Sequence, residues 1–133
     1  MPYVLDASVT ITWAMPDEEH PVATLAYAQL DFESAIVPPI WCYEVRNILL
    51  VNERRQRISQ MDSTRFLRQL DQFSIETDNA PNHSNLLHLA RQHRLTVYDA
   101  AYLELAQRHG VPLATLDKAL WAAAKAAGIP LLA

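Results

Sequence analysis

The segment from Thr96 to Asp117 limits the possible folds of this chain more than any other stretch. Within it, Glu104 is the only charged residue between Ala100 and Ala106, so the helix predicted there should be largely buried. Gly110 should end that helix, because glycine readily adopts the left-handed conformation that follows many helices. The apolar run Val111–Leu116 is long enough for one strand. The segment therefore predicts a buried helix followed by a buried strand.

Two acids occupy unusual places in this segment. Asp99 stands at the predicted start of the buried helix, and Asp117 follows the predicted strand, with Lys118 and another helix behind it. A charge in such surroundings is unfavourable unless something pairs with it or uses it. We therefore expect the two carboxylates to help hold a divalent metal ion.

Short apolar runs and amphipathic segments alternate along the rest of the chain. Strands are predicted at Tyr3–Leu5, Ala35–Val37, Ser74–Glu76, Val111–Leu116 and, as a final edge strand, Gly128–Leu132. Helices are predicted to begin after Asp6, at Pro21, near Ile40 and after Ser59, and to cover Asn82–Arg94, Asp99–His109 and Lys118–Ala127. This alternation predicts an α/β fold with a mostly parallel sheet of four to five short strands and helices on both sides. No linker or repeat divides the chain, so residues 1–133 are expected to form a single domain.

The composition argues against several kinds of protein. A net charge of −4 over 133 residues does not suit a general nucleic-acid coat, which is usually basic. Two glycines leave no glycine-rich phosphate loop. The single cysteine, Cys42, cannot form an internal disulfide and is expected to lie in the core. No signal peptide or membrane-spanning run is apparent, so a cytoplasmic protein is expected.

Four acids, Asp6, Glu44, Asp99 and Asp117, fall at positions where solvent exposure is not expected. Ligand sites in parallel sheets lie at the carboxyl ends of the strands, where Asp6 and Asp117 are predicted. If the carboxylates converge, each pair about 4 Å apart opposes folding by roughly 4 kcal/mol at an effective dielectric constant of about 20. Mg²⁺ or Mn²⁺ would offset this repulsion, since both prefer oxygen ligands. Taken singly, each acid could instead cap a helix or interact with a helix dipole.

Four motifs together resemble a known family. They are Val-Leu-Asp-Ala-Ser-Val at 4–9, Trp-Cys-Tyr-Glu-Val-Arg-Asn at 41–47, Thr-Val-Tyr-Asp-Ala-Ala-Tyr at 96–102 and Leu-Ala-Thr-Leu-Asp-Lys at 113–118. In this order they look like the motifs of PIN domains, and more narrowly those of the VapC-type ribonuclease toxins of prokaryotic toxin–antitoxin pairs. The resemblance covers the whole chain.

This resemblance implies a three-layer α/β/α sandwich and a metal-dependent endoribonuclease that uses Mg²⁺ or Mn²⁺. The family's catalytic and metal-binding acids correspond to Asp6, Glu44, Asp99 and Asp117, and its frequent hydroxyl positions to Ser8 and Thr115. Toxins of this type are usually homodimers, and an antitoxin inhibits them by covering the acidic cleft. The resemblance therefore implies an RNA substrate, an antitoxin and a second copy of the chain as partners.

The hydroxyl and basic residues near these motifs each allow two interpretations. Ser8 and Thr115 could hydrogen-bond a carboxylate or a metal-bound water, or they could simply cap a helix or form a turn. Arg46 and Lys118 are candidates for contacts with RNA phosphates. A basic cluster could also contact RNA phosphates, or it could be a solvated helix end whose arginines suit the helix dipole. The cluster consists of Arg54, Arg55, Arg57, Arg65 and Arg68.

A binding or signalling module of similar architecture is the alternative, with the acids as helix caps. A receiver-like domain needs an acidic pair near the N-terminus and a lysine on a late strand. Here Asp6 is alone at the first strand, and Lys118 follows Asp117. A phosphatase with an aspartyl nucleophile needs a second acid two residues after Asp6, where Ser8 stands. Both alternatives fit the sequence less well than a metal-dependent nuclease does.

Overall fold

The computed structural model describes residues 1–133 as a parallel sheet surrounded by helices. The strands are β1 (Tyr3–Leu5), β2 (Ala35–Val37), β3 (Ile75–Thr77) and β4 (Leu113–Ala114). The helices are α1 (Ala7–Thr10), α2 (Pro21–Gln29), α3 (Ile40–Arg54), α4 (Gln60–Leu70), α5 (His83–His93), α6 (Val97–His109) and α7 (Lys118–Ala126), and a 3₁₀ helix (Ile11–Ala14) continues α1. The predicted α/β fold with a parallel sheet of four to five short strands is confirmed.

Strand β1 lies in the interior of the sheet, whose strand order is β3-β2-β1-β4. All three strand pairs are parallel, and Val4 lies opposite Ile36 on one side and Leu113 on the other. The ladder continues one residue past β1, where the Asp6 N–H donates to the Ala114 carbonyl at 3.0 Å. Because the strands are parallel, the residues that follow β1, β2 and β4 leave the sheet at the same edge.

The side chains of β1 are inaccessible to solvent on both faces of the sheet. Tyr3, Val4 and Leu5 point alternately to opposite faces, and each is 0 % exposed. Helices must therefore cover both faces, as is usual for parallel sheets. Helix α6 packs on β1 and β4, and the resulting arrangement is the three-layer α/β/α sandwich that the resemblance implies.

The predicted edge strand over residues 128–132 is reduced to a single bridge. Leu131 pairs in parallel with Leu113, supported by one hydrogen bond from the Leu113 N–H to Pro130 and one from the Leu132 N–H to Leu113. Pro130 has no N–H to donate, so the ladder cannot continue through it. The prediction of a full strand at this edge is wrong in length, although the segment does lie beside β4.

Several helix ends follow the signals in the sequence. Pro21 is the first residue of α2, and Gly110 ends α6 in the left-handed conformation with φ +65°. Ser59 and Asp62 form the expected capping box, with both hydrogen bonds 3.0 Å long. No helix combines the length and the apolar character that a membrane span needs.

Helix α6 begins at Val97, earlier than the predicted start at Asp99. Thr96 caps it, since its hydroxyl accepts the Asp99 backbone N–H at 3.1 Å. A threonine followed three residues later by an acid is a helix-start signature, so the sequence did contain this signal. As a consequence, the Asp99 side chain lies in the first turn and does not act as the cap.

Another prediction, about a single side chain, is wrong. Cys42 is exposed rather than part of the core, because the buried face of α3 runs through Trp41, Val45 and Leu49. On α7, Trp121 lies outside the core, since it is 46 % exposed, and the Lys125 ammonium lies 4.8 Å from its ring centre.

A buried ion-pair network secures the C-terminal half of α6. Glu104 is 1 % exposed, and the Arg108 guanidinium donates to it from Nε at 2.8 Å. The same guanidinium donates to both oxygens of Asp78, at 3.0 and 3.1 Å, in the segment that links β3 to α5. His109 also contacts Asp78 at 2.7 Å, and these hydrogen bonds hold the pKa of Asp78 well below its usual range. The network therefore joins α6 to the chain beyond β3.

We expect Arg108→Met to lower the free energy of unfolding by about 3 kcal/mol, because the variant leaves Glu104 buried without its cation. Urea denaturation at neutral pH would measure the change. Arg65→Met is the matched control, since the Arg65–Asp62 contact is 3.8 Å long and exposed to solvent, and it should change stability much less. Equal losses in the two variants would contradict this account of the network.

Candidate active site

The structure brings the four predicted acids to the carboxyl edge of the sheet. Asp6 directly follows β1, and Asp117 follows β4 as the residue before α7. Glu44 lies in the second turn of α3, which follows β2, and Asp99 lies in the first turn of α6. Each acid therefore comes from a different element, and only the tertiary fold brings them together.

Asp6 is the most buried of the four acids, with 5 % of its surface exposed. Its Oδ2 accepts two hydrogen bonds, from the Ser8 hydroxyl at 2.6 Å and from the Thr115 hydroxyl at 2.7 Å. Two donors on one oxygen leave little room for a proton there, so this arrangement suits an ionised carboxylate. The second oxygen, Oδ1, takes no part in these bonds and remains available to a ligand.

The same two hydroxyls also accept hydrogen bonds from the backbone after β4. Ser8 Oγ accepts the Leu116 N–H at 2.9 Å, and Thr115 Oγ1 accepts the Asp117 N–H at 3.0 Å. Each hydroxyl has one proton and gives it to Asp6, so the 3.5 Å separation between the two hydroxyls is not a further hydrogen bond. The hydroxyls thus connect Asp6 to the segment that carries Asp117.

Tyr102 contacts Glu44 directly, a contact that was not predicted from the sequence. The Tyr102 side chain is 0 % exposed, and its hydroxyl donates to Glu44 Oε1. Burial raises the pKa of Tyr102 well above its usual range, so the phenol stays protonated and acts as a donor. A signal did exist, because a tyrosine three residues after Asp99 lies on the same face of the helix.

A second missed contact connects α3 to Asp6. The Trp41 indole N–H donates to the Thr10 hydroxyl at 3.0 Å, and that hydroxyl donates to the Asp6 carbonyl at 3.1 Å. Thr10 is 0 % exposed. Trp41 precedes Glu44 by three residues on the same helix face, so this chain of bonds fixes α3 relative to the end of β1.

Burial, together with the charges of neighbouring acids, raises the pKa values of Asp6, Glu44 and Asp99. Burial raises the pKa of Asp6, and the charges of Asp117 and Asp99 raise it further, against the two hydroxyl hydrogen bonds. Burial also raises the pKa of Glu44, with added repulsion from Asp6 and Asp99. Burial and then repulsion by Asp117 raise the pKa of Asp99. The four carboxylates therefore lie within electrostatic reach of one another.

None of the four acids pairs with a lysine, an arginine or a histidine. Every ion pair of the structure lies elsewhere, as with Glu104 and Arg108. A protein of this size could have placed a basic side chain here, as it does for Glu104, and it has not. The site is thus an excess of negative charge that the chain itself does not balance.

The donor set fits a hard divalent cation, which prefers carboxylate oxygens and water. In the present side-chain conformations, no three Asp, Glu, His or Cys side chains are placed to hold one ion together. An ion would therefore have to draw the carboxylates inward by side-chain rotation. A bound cation would lower the repulsion that contributes to the raised pKa values of Asp6, Glu44 and Asp99, so the uncompensated negative charge favours that movement.

Some of the basic candidates make hydrogen bonds or ion pairs within the chain, and others make neither. Arg46 donates to the Cys42 carbonyl at 3.1 Å and lines a cavity of about 150 Å³ with residues of α4 and β3, apart from the acids. Arg57 donates to Asn52 at 2.9 Å and reaches acids of the 15–20 loop at 3.5 Å. Arg65 contacts Asp62. Among these candidates, Arg54, Arg55, Arg68 and Lys118 are exposed and make no ion pair or hydrogen bond.

Helix capping explains only one of the four acids. Asp117 does cap α7, since its Oδ1 accepts the Leu120 N–H at 2.9 Å. Asp6 makes no such bond to α1, and Thr96 rather than Asp99 caps α6. Glu44 lies beyond the first turn of α3. The alternative in which all four acids are helix caps or first-turn residues does not match these positions.

The fold and the site together define an α/β/α domain with an acidic cluster at the carboxyl edge of a parallel sheet. The family model described as the PIN domain matches residues 3–127. The chain therefore belongs to the PIN-domain family, as its four motifs indicated.

Known relatives agree with this assignment. The chain is 32 % identical over 124 residues to Ribonuclease VapC3 of Pyrobaculum aerophilum, covering 90 % of this chain and 92 % of that protein. The crystal structure of PAE2754 from Pyrobaculum aerophilum has a TM-score of 0.73 at 25 % identity, covering 92 % of this chain and 79 % of that one. FitAcB from Neisseria gonorrhoeae shares the fold, with a TM-score of 0.67 at 16 % identity over 98 % and 96 % of the two chains.

We expect Asp99→Asn to raise the thermal midpoint of the metal-free protein at pH 7, measured in EDTA. The raised pKa of Asp99 means that its ionised form destabilises the folded state, despite its favourable place at a helix N-terminus. Stability from such a group is present below the unfolded pKa of about 3.9 and is lost as the pH rises through the folded pKa. The advantage of the variant should therefore vanish near pH 3.

Asp31→Asn is the control for this measurement, because Asp31 is exposed and makes no side-chain hydrogen bond or ion pair. It should leave the thermal midpoint nearly unchanged at both pH values. An Asp99→Asn protein that is less stable than the parent at pH 7 would show that repulsion does not dominate at this position.

Proposed function

We propose that this chain is a divalent-metal-dependent endoribonuclease that hydrolyses RNA phosphodiester bonds, and that it is the toxin of a type II toxin–antitoxin pair. The observation that carries this proposal is the uncompensated carboxylate cluster. Glu104, a buried acid outside the site, has Arg108 as its cation, whereas Asp6, Glu44 and Asp99 have none. The similarity to a ribonuclease over 90 % of the chain supports the reaction class.

In this proposal Asp6, Asp99 and Asp117 hold Mg²⁺ or Mn²⁺, and Glu44 serves as a fourth ligand or as the general base. A divalent ion bound there supplies a water of lowered pKa and offsets charge on the phosphoryl oxygens. Asp6 presents Oδ1, because Ser8 and Thr115 already occupy Oδ2. The Ser8 and Thr115 hydroxyls therefore orient the Asp6 carboxylate, which is a ligand of the ion in this proposal, and do not themselves bind the ion.

Glu44 has one oxygen bound to Tyr102 and a second, Oε2, that makes no hydrogen bond within the chain. This second oxygen is the one that would accept the proton of the attacking water or bind the ion. The raised pKa of Glu44 brings the carboxylate nearer to the range in which it can act as a general base.

Among the basic side chains, Lys118 is the best placed for the RNA backbone. It is exposed, has no partner and follows Asp117 directly. Arg54 and Arg55 are also exposed and free, and they extend the basic surface at the end of α3. Arg57 is held by Asn52, and Arg46 lies against Cys42, so we assign neither a direct phosphate contact.

We further propose a homodimer and an inhibitory antitoxin that acts in the cytoplasm, where RNA substrates are present. Large apolar side chains at the surface, such as Phe32 at 85 % and Tyr98 at 61 % exposure, suit protein–protein contacts. A cationic side chain from the antitoxin could enter the acidic cluster and replace the charge of the metal ion, which would stop the reaction.

The proposal predicts saturable Mn²⁺ binding by calorimetry and cleavage of RNA that EDTA abolishes. Asp99→Asn should lose most of the binding and lower the cleavage rate by at least about a hundredfold, because a ligand is removed. Asp31→Asn, an exposed acid outside the cluster, should behave as the parent protein does. Absence of both metal binding and cleavage in partner-free parent protein would overturn the proposal.

Lys118→Ala should weaken RNA binding and lower the slope of log Kd against log salt concentration by about 0.7, the value for one lost phosphate contact on single-stranded nucleic acid. The measurement uses the cleavage-deficient Asp99→Asn protein so that the RNA stays intact. Lys125→Ala is the control, since Lys125 lies on the same helix but over the Trp121 ring. An equal slope change in both variants would assign the effect to net charge alone.

A further inference from the structure

We propose that Tyr102 is a positioning residue, whose hydrogen bond to Glu44 limits the rotation of that carboxylate and so raises the affinity of the acidic cluster for a metal ion. This inference rests on the proposed function of the acidic cluster and adds to it a residue from outside the four acids. It follows from the geometry of one hydrogen bond and from the two helices that the bond connects.

The Tyr102 hydroxyl is buried, and Glu44 is the acceptor of its proton. The side chain is 0 % exposed, so bulk water does not reach it, and its hydroxyl has a single proton to donate. That proton goes to Glu44 Oε1, 58 residues away in the chain. The bond limits the rotation of the carboxylate and leaves Oε2 as the oxygen without a hydrogen bond within the chain.

The position of Tyr102 on α6 gives this bond its effect on the site. Tyr102 lies one helical turn after Asp99, on the same face of the helix. A contact from Tyr102 to Glu44 therefore sets the separation between α6 and α3, and so the separation between two of the four acids. The bonds from Trp41 through Thr10 to the Asp6 carbonyl fix the start of α3 relative to the end of β1.

The neutrality of the donor is the second reason for this assignment. Glu104, on the same helix, is held by the Arg108 guanidinium, which orients the carboxylate and also balances its charge. Tyr102 orients Glu44 and leaves the negative charge in place. A carboxylate that must bind a cation needs the first effect without the second. Partners of this kind commonly change metal affinity by 10- to 100-fold when they are removed.

The test is Mn²⁺ binding by calorimetry to Tyr102→Phe, which removes only the hydroxyl. We expect the dissociation constant to rise about tenfold or more. Tyr3→Phe is a matched control, because Tyr3 is also 0 % exposed and its hydroxyl also makes one buried hydrogen bond, to the Ala26 carbonyl at 2.7 Å. Tyr3→Phe should lose stability in urea denaturation while its Mn²⁺ affinity stays at the parent value.

A double-mutant cycle with Glu44→Ala separates positioning from general support of the fold. If Tyr102 acts through Glu44, then Tyr102→Phe should have no further effect on Mn²⁺ affinity in the Glu44→Ala background. An equal loss of affinity in both backgrounds, or parent affinity in Tyr102→Phe, would overturn the positioning role while the nuclease proposal stands. Parent protein that neither binds Mn²⁺ nor cuts RNA would overturn both.

Discussion

An excess of negative charge at one edge of the sheet is the constraint on which the rest of this structure depends. Asp6, Glu44, Asp99 and Asp117 repel one another, and burial removes much of the water that would screen them. The total stability of a domain of this size is on the order of 10 kcal/mol, so a few unfavourable pairs are a large fraction of it. The fully buried β1 and the packing of α6 on the sheet must oppose this repulsion.

The chain holds these carboxylates with neutral donors instead of cations. Ser8 and Thr115 donate to Asp6, and Tyr102 donates to Glu44. Hydrogen bonds of this kind satisfy the lone pairs of a buried carboxylate and fix its direction, and they leave its charge unbalanced. The two hydroxyls also bond to the backbone after β4, so the orientation of Asp6 and the path of the chain towards Asp117 depend on the same atoms.

The gathering of the acids could be predicted because it follows from topology. Parallel strands end at one edge, so an acid after β1 and an acid after β4 had to be neighbours once the alternation of strands and helices was recognised. The spacing from Asp99 places Tyr102 on the same face of α6, but its contact with Glu44 joins residues 58 positions apart, and no local pattern specifies that partner. The engagement of Arg57 with the 15–20 loop likewise depends on where that loop lies.

Other features were present in the sequence as local signals. Thr96 with an acid three residues later marks the true start of α6, and Glu104 with Arg108 four residues later marks an ion pair on that helix. Cys42 was misplaced for a different reason. It lies one position beyond Trp41, and on a helix such a step turns the side chain about 100° away from the buried face.

Helix α6 shows how one element accommodates opposite demands. Towards its start, Asp99 belongs to the acidic cluster and Tyr102 contacts it through Glu44, and no basic side chain balances the charge there. Towards its end, Glu104 and Asp78 share Arg108, so both carboxylates there have a cationic partner. The paired end secures the helix against the β3–α5 connection without using any group that the site requires. Because the two ends of α6 are separate, Arg108 can anchor one end of the helix while the Asp99 carboxylate at the other end is still repelled by the neighbouring acids.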